Sequence, residues 1–155
     1  MQKETVQLHQ IPPEITAENI LNRDFYAAKP NEKWLTDVTE FKYYVGAEVR
    51  KIYLSAILDL YDRRIVSYKI GDSNNNLLVF ETLDEAVKAN PDAHPLFHSD
   101  RGFQYTGKIF HSKLIAANMR QSMSRVGRCI DNGRDFGVFS NPKCIISESL
   151  LRVTI

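Results

Sequence analysis

Two aspartates occupy positions where a charge needs a reason. Asp37 lies inside Trp34-Leu-Thr-Asp-Val-Thr39, among aromatic and β-branched residues that make a strand. Aspartate is a poor strand former, and a charge among such neighbours is costly unless it is solvated, paired or bound to a cation. Strand side chains alternate, so Asp37 shares a face with Leu35 and Thr39. Asp100 ends the run His98-Ser-Asp100, at the edge where open α/β sheets place their ligands. Taken singly, a solvated outward side chain accounts for Asp37, and a turn before Gly102 accounts for Asp100. On neighbouring strands the two would repel, raising one pKa unless a cation stands between them. Hard oxygen ligands of this kind suit Mg²⁺ or Mn²⁺. A third carboxylate would complete a two-metal clamp for a phosphodiester.

Basic residues gather close to the second aspartate. From His98 to Arg128 the bases are Arg101, Lys108, Lys113, Arg120, Arg125 and Arg128, and the sole acid is Asp100. Six bases against one acid over 31 residues make a local field suited to a polyanion, although a solvated helix face is an equal alternative. Of these, Arg101, Lys108, Arg125 and Arg128 are the candidates for nucleic-acid contact. His98, before an acid, is placed either to assist proton transfer or, as the simpler role, to orient the strand end. Trp34 and Tyr105 are aromatic candidates for base stacking, with burial in the sheet the simpler role for Trp34.

The elements that must carry these residues follow from apolar spacing. Residues 1–30 read as a lead-in, with Pro12-Pro13 barring a helix and Pro30-Asn31 marking a break. Three β-rich runs follow, Lys33 to Tyr44, Arg50 to Leu60 and Arg64 to Ile70, with Gly46 and Asp59–Arg63 as short turns. Short connections join antiparallel neighbours. Asn74-Asn75-Asn76 then offers N-caps to a helix with Leu77, Phe80, Leu83 and Val87 on one face, stopping near Asn90-Pro91. A short strand over 95–99 precedes a second helix, about Gly107 to Asn118, with Phe110, Leu114 and Ala117 on one face. Arg120 to Val126 suits a further strand. The order β-β-β-α-β-α-β predicts an α/β fold: one mixed sheet with helices packed on it.

The 155 residues suit one domain, and 43% hydrophobic with 25% charged residues excludes disordered and collagen-like chains. No apolar run approaches the roughly 20 residues of a membrane span, and no secretory signal opens the chain. Cys129 and Cys144 are too few for a disulfide framework and match no zinc pattern, so a cytoplasmic setting is expected.

Three segments together resemble a known family. Trp34-Leu-Thr-Asp-Val-Thr-Glu-Phe41, His98-Ser-Asp-Arg-Gly-Phe-Gln-Tyr105 and Ser122-Met-Ser-Arg-Val-Gly-Arg-Cys-Ile-Asp-Asn-Gly133 look like bacterial insertion-sequence transposases of the retroviral-integrase type. The resemblance runs from about Ala17 to Gly133 in the expected order. It implies a ribonuclease-H-like fold and a DDE site that uses divalent metal, Mg²⁺ or Mn²⁺, for DNA strand cleavage and transfer. Asp37 and Asp100 fall on the first and second acidic positions, both catalytic and metal-binding. The implied partner is DNA, as element ends and target, with room for a homo-oligomer and no membrane.

The third acid of the pattern is missing. The family continues from Asp-Asn-Gly into Pro-Met-Glu, which would put the Glu at position 136, where this chain has Phe136. Residues 134–155 match nothing in the family, and Gly137, Asn141 and Pro142 interrupt the helix expected to carry that Glu back to the sheet. Synonymous codons for these residues can be chosen so that one added G regroups them into Glu-Gly-Leu-Trp-Ser-Ile-Leu-Lys-Ser-Glu-Met-Tyr-Tyr. That resembles the missing segment, so 134–155 reads as a frameshifted tail after a core at 31–133, with the catalytic helix missing or scrambled. Asp135 lies one residue short of the Glu position on an arm one carbon shorter, and Asp131 belongs to the Asp-Asn-Gly turn. The leading expectation is a DDE core that has lost activity. The alternatives are a non-catalytic nucleic-acid-binding or oligomerising remnant, and an α/β domain with two structural aspartates.

Overall fold

The computed structural model describes residues 14–125. They form a five-stranded mixed sheet in the order β3-β2-β1-β4-β5. The first three strands are β1 (Lys33–Val45), β2 (Glu48–Asp59) and β3 (Ile65–Gly71), an antiparallel meander. Gly46, at φ +61°, makes the turn from β1 to β2. The second turn is held by buried Asp59, whose Oδ1 accepts from the Tyr61 N–H at 3.0 Å and whose Oδ2 accepts from the Asn31 N–H at 2.8 Å. Helix α1 (Asn76–Ala89) returns the chain to β4 (Leu96–Ser99), and α2 (Phe103–Thr106) with α3 (Lys108–Ala116) returns it to β5 (Arg120–Met123). Both β4 and β5 run parallel to β1 because a helical crossover precedes each.

The two faces of the sheet bury different things. Trp34 and Ile57 pack beneath Val79, Leu83, Phe110 and Leu114 of the helices. On the opposite face Leu35 and Leu58 pack against Leu21, Phe25 and Ala27 of the segment that precedes the sheet. That segment is part of the core. Met123 N–H donates to the Glu18 carbonyl at 3.2 Å, and the Ser122 Oγ accepts from the Ile20 and Leu21 N–H groups at 3.0 Å each. The lead-in thus lies along the outer edge of β5, covering backbone groups that an edge strand would leave open. Three apolar residues spaced at four and two have no helical or strand period, so the sequence pattern did not mark them as core.

Two helical expectations need correction. The Asn75 side chain caps α1, accepting from the Leu78 N–H at 3.0 Å, as the asparagine run predicts. The buried face, however, is Leu78, Val79, Thr82, Leu83 and Ala86, while Leu77 is 60% exposed. Thr82 joins that face because its hydroxyl donates to the Leu78 carbonyl at 2.7 Å, which satisfies it without water. The helix expected to begin at Gly107 is preceded by a separate turn, α2. Gly107 itself is extended, with φ −75° and ψ 147°, and so divides α2 from α3. The short α2 was invisible to apolar spacing because four residues cannot establish a period. Residues Arg128, Asp131, Asp135 and Phe136, both cysteines and the whole 134–155 tail lie outside the described residues, as does Pro12-Pro13.

Candidate active site

Asp37 and Asp100 come together through strand register. In the parallel β1–β4 pair, Trp34 is opposite Phe97 and Leu35 is opposite His98. Two residues further on from that last pair stand Asp37, which alternation puts on the face of Leu35, and Asp100, just past the strand end, whose charge reaches Asp37. The Leu35 face is the one opposite the helices. Asp37 lies within β1, opposite Ala56 of β2, and Asp100 lies just past the end of β4.

The electrostatics agree with this geometry. Partial burial and, second, the charge of Asp100 push the Asp37 carboxyl up to about 6, with the Val38 N–H partly offsetting them. Asp100 is held by its own turn, its Oδ1 accepting from the Gly102 N–H at 2.7 Å. Asp100 is thus a turn residue whose charge also reaches a second acid. Gly102 is needed for close approach. A Cβ there would stand 2.9 Å from Asp100 Oδ1 and 2.9 Å from Gln104 Oε1.

Supporting residues hold this edge from below. His98 is fully buried and bonds Ser122 Oγ through Nδ1 at 2.9 Å. Since Ser122 already accepts two N–H groups, its proton goes to His98, which makes Nδ1 the acceptor. His98 therefore orients β4 against β5 and the lead-in, the simpler of its two expected roles. Trp34 is buried as expected, its Nε1 donating to Asn31 Oδ1 at 3.1 Å. Tyr105 corrects an expectation: at 1% exposure, packed edge-on to Phe110 at 5.3 Å, its ring cannot stack on a base. Gln104, buried and hydrogen-bonded to Asn74, was not singled out by sequence reasoning, having no charge and no motif role.

The basic candidates divide by neighbourhood. Arg101 and Arg125 follow β4 and β5 directly, at the same edge as the acids. Arg101 Nε donates to the Ser124 carbonyl at 2.8 Å, and Arg125 Nη2 donates to Asn22 Oδ1 at 2.8 Å. Lys108 is exposed at the start of α3. Lys113 is taken up by Asp84, at 2.7 and 2.8 Å, and sits over the Phe80 ring. An open cavity of about 660 Å³, lined by Lys29, Glu32, Asp92 and His94 among others, lies at the opposite ends of β1 and β4. It is remote from both acids and is not the site.

Among the described residues no group of three His, Cys, Asp or Glu side chains gathers to hold a metal ion. Two carboxylates do converge. Burial and, second, the Asp100 charge raise the Asp37 pKa, and a hard divalent cation would offset both, so the donor set among the described residues fits one such ion and is one ligand short of a pair. Among the described residues no helix is long and apolar enough to cross a membrane.

Known proteins share this fold. The solved catalytic domain of the Mos1 mariner transposase superposes with a TM-score of 0.60 at 15% identity, covering 76% of this chain and 61% of that one. The HTLV-2 integrase catalytic core domain, solved in complex with magnesium in a dimeric form, superposes with a TM-score of 0.52 at 20% identity, covering 62% of each chain. These likenesses show a ribonuclease-H-like fold. In sequence, the chain is 45% identical over 118 residues to a transposase of Escherichia coli described as "Putative transposase InsK for insertion sequence element IS150", covering 76% of this chain and 40% of that protein. It is 42% identical over 116 residues to a transposase-like protein of Haemophilus influenzae, covering 75% of this chain and 52% of that one. The chain thus spans about half or less of the length of these relatives. The family model for the integrase core domain matches residues 27–129, taking in both aspartates and all five strands. By that match, this chain belongs to the integrase core domain family, alongside the cores of insertion-sequence transposases.

Proposed function

We propose that the chain is a DDE-type transposase core directed at the DNA backbone, with Asp37 and Asp100 as its first two catalytic and metal-ligating carboxylates. The observation that carries this reading is the parallel β1–β4 register, which brings two acids from distant sequence level at one sheet edge, close enough for the Asp100 charge to act on Asp37. These two residues would hold Mg²⁺ or Mn²⁺, which when bound supplies Lewis-acid polarisation of a phosphoryl oxygen. The remaining roles belong to the protein. Asp37 is ionised and able to ligate above pH about 6. The Gly102 N–H holds Asp100 Oδ1, which leaves Oδ2 for a ligand. Arg101, Lys108 and Arg125 supply positive charge for phosphates on either side, with Arg128 as a fourth such base by sequence.

A second reading, a DNA-binding or oligomerising remnant without catalysis, is favoured by Phe136 at the position of the third acid. We infer that the chain holds one cation weakly and performs no strand transfer, because loss of a single electrostatic contact to the transition state typically costs on the order of 10²–10³ in rate. The deciding experiment compares this chain with a version in which Pro-Met followed by the regrouped Glu-Gly-Leu-Trp segment replaces residues 134–155 after Gly133. Mn²⁺ binding and nicking of labelled element-end DNA are measured for both. Weak Mn²⁺ binding without nicking here, and nicking by the restored protein, supports the reading. Equal nicking by the two overturns the inferred loss of activity, and Mn²⁺ binding that survives Asp37→Asn overturns the site.

A further inference from the structure

The β1–β4 ladder does not reach the two acids. β1 and β4 are paired over Lys33–Leu35 and Leu96–His98, so backbone hydrogen bonding stops two residues before Asp37 and Asp100. Something else must set the gap between the strands at that level. The residue that crosses it, from the helix face of the sheet, is Tyr105. It lies in α2, shortly after Asp100, and its hydroxyl stands 3.4 Å from Thr36 Oγ1, on the residue next to Asp37. Thr36 Oγ1 donates to the Ala56 carbonyl at 3.0 Å. A hydroxyl has one proton to give, so Tyr105 is the donor in the other contact. Ala56 is in turn the cross-strand partner of Asp37. A hydrogen-bond chain, from the Tyr105 hydroxyl to the Thr36 hydroxyl to the Ala56 carbonyl, therefore ties the segment that carries Asp100 to the strand pair that carries Asp37.

Folding alone does not explain this hydroxyl. The Tyr105 ring packs on Phe110 in the same core cluster as Phe97, and a phenylalanine would fill the same ring position. At 3.4 Å the Tyr105–Thr36 contact is long for a hydroxyl pair and contributes little stability. Burial holds the phenol far above its ordinary range, and the charges of Asp37 and Asp100 add to that, so both acids are within electrostatic reach.

We propose that Tyr105, acting through Thr36, is a positioning residue that sets the separation of Asp37 and Asp100 and thereby selects the size of the cation between them. The proposal rests on the reading of those two carboxylates as a divalent-metal site. Mg²⁺ requires ligands near 2.0–2.1 Å in strict octahedral geometry, whereas Ca²⁺ accepts 2.3–2.6 Å and irregular shells. Loosening the gap should therefore penalise the small ions and spare the large one.

The test titrates the whole chain with MnCl₂, with MgCl₂ by competition, and with CaCl₂, following Mn²⁺ by electron paramagnetic resonance and Ca²⁺ by calorimetry. Tyr105→Phe is expected to weaken Mn²⁺ and Mg²⁺ binding about tenfold, the low end for groups that orient metal ligands, while Ca²⁺ affinity stays within about twofold. Thr36→Val should do the same and Thr36→Ser should keep the wild-type preference, which carries the test if Tyr105→Phe does not fold. An unchanged preference in Tyr105→Phe and Thr36→Val, or equal losses for all three ions, overturns the proposal and makes the hydroxyls structural. Wild-type affinity in Asp37→Asn, or no Mn²⁺ binding by the wild type, overturns the metal-site reading itself and the proposal with it.

Discussion

At the scale of a single residue, Asp37 carries a pH signature of its own. Its folded-state pKa of about 6 lies above the ordinary 3.8, so over that interval the folded chain holds a proton that the unfolded chain has released. The stability this contributes is complete below pH 4 and is lost as pH rises through 6. Metal-free protein should accordingly be weakened at pH 7.5 relative to pH 4.5, by on the order of 2 kcal/mol from this group. Asp37→Asn removes the charge, so thermal melts of the variant should show a smaller drop between the two pH values than the wild type. Mn²⁺ should restore wild-type stability at pH 7.5 and leave the variant unmoved. Identical pH slopes for the two proteins would mean that Asp37 is solvated and not in contention with Asp100.

Among the elements, the least expected is the segment before β1. Two of its bonds to β5 converge on one side chain, since Ser122 Oγ accepts from both the Ile20 and Leu21 N–H groups and also meets His98. Removing that acceptor strands two backbone donors, each at a cost of about 1–3 kcal/mol where water is excluded. Ser122→Ala should lower unfolding stability by roughly 2–3 kcal/mol in urea titrations. A loss below about 0.5 kcal/mol would show that the apolar cluster of Leu21, Phe25 and Ala27 holds the segment by itself. Because His98 shares that serine and precedes Asp100 by two residues, the lead-in is mechanically part of the candidate site.

For the molecule as a whole, charge placement predicts how DNA would be held. Net charge is only +1, so attraction must come from local bases rather than an overall field. Arg101, Lys108 and Arg125 lie toward the acid edge, whereas Lys113 is neutralised by Asp84. Binding to duplex DNA should be weak and fall steeply with salt, since each phosphate neutralised contributes about −0.9 to the slope of log K against log salt. The double variant Arg101→Ala, Lys108→Ala should flatten that slope by up to about 2, read by fluorescence anisotropy across a salt series. Lys113→Ala should leave it unchanged. A slope indifferent to the first pair would remove the basic edge as the DNA-facing surface.

Much of this was legible in the chain because it depends on neighbours in sequence. Period-two alternation in β1 follows from covalent geometry, so placing Asp37 with Leu35 and Thr39 required no fold. Turn chemistry at Gly46 and Asp59–Arg63 and the asparagine cap of α1 are local in the same way, and the meander and its crossover follow from them. The resemblance carried by Asp37, Asp100 and their flanking residues anticipated the family. What tertiary structure alone decided is what depends on contacts far apart in sequence. The parallel register that brings Asp37 level with Asp100 arises from packing α1 across the sheet, and no local pattern encodes it. The buried face of α1 turned on Thr82 satisfying its own hydroxyl, which a count of apolar residues passes over. Tyr105 and the lead-in residues Leu21, Phe25 and Ala27 became core only once β1, β4 and β5 stood side by side, because burial is a property of the assembled sheet and not of any segment.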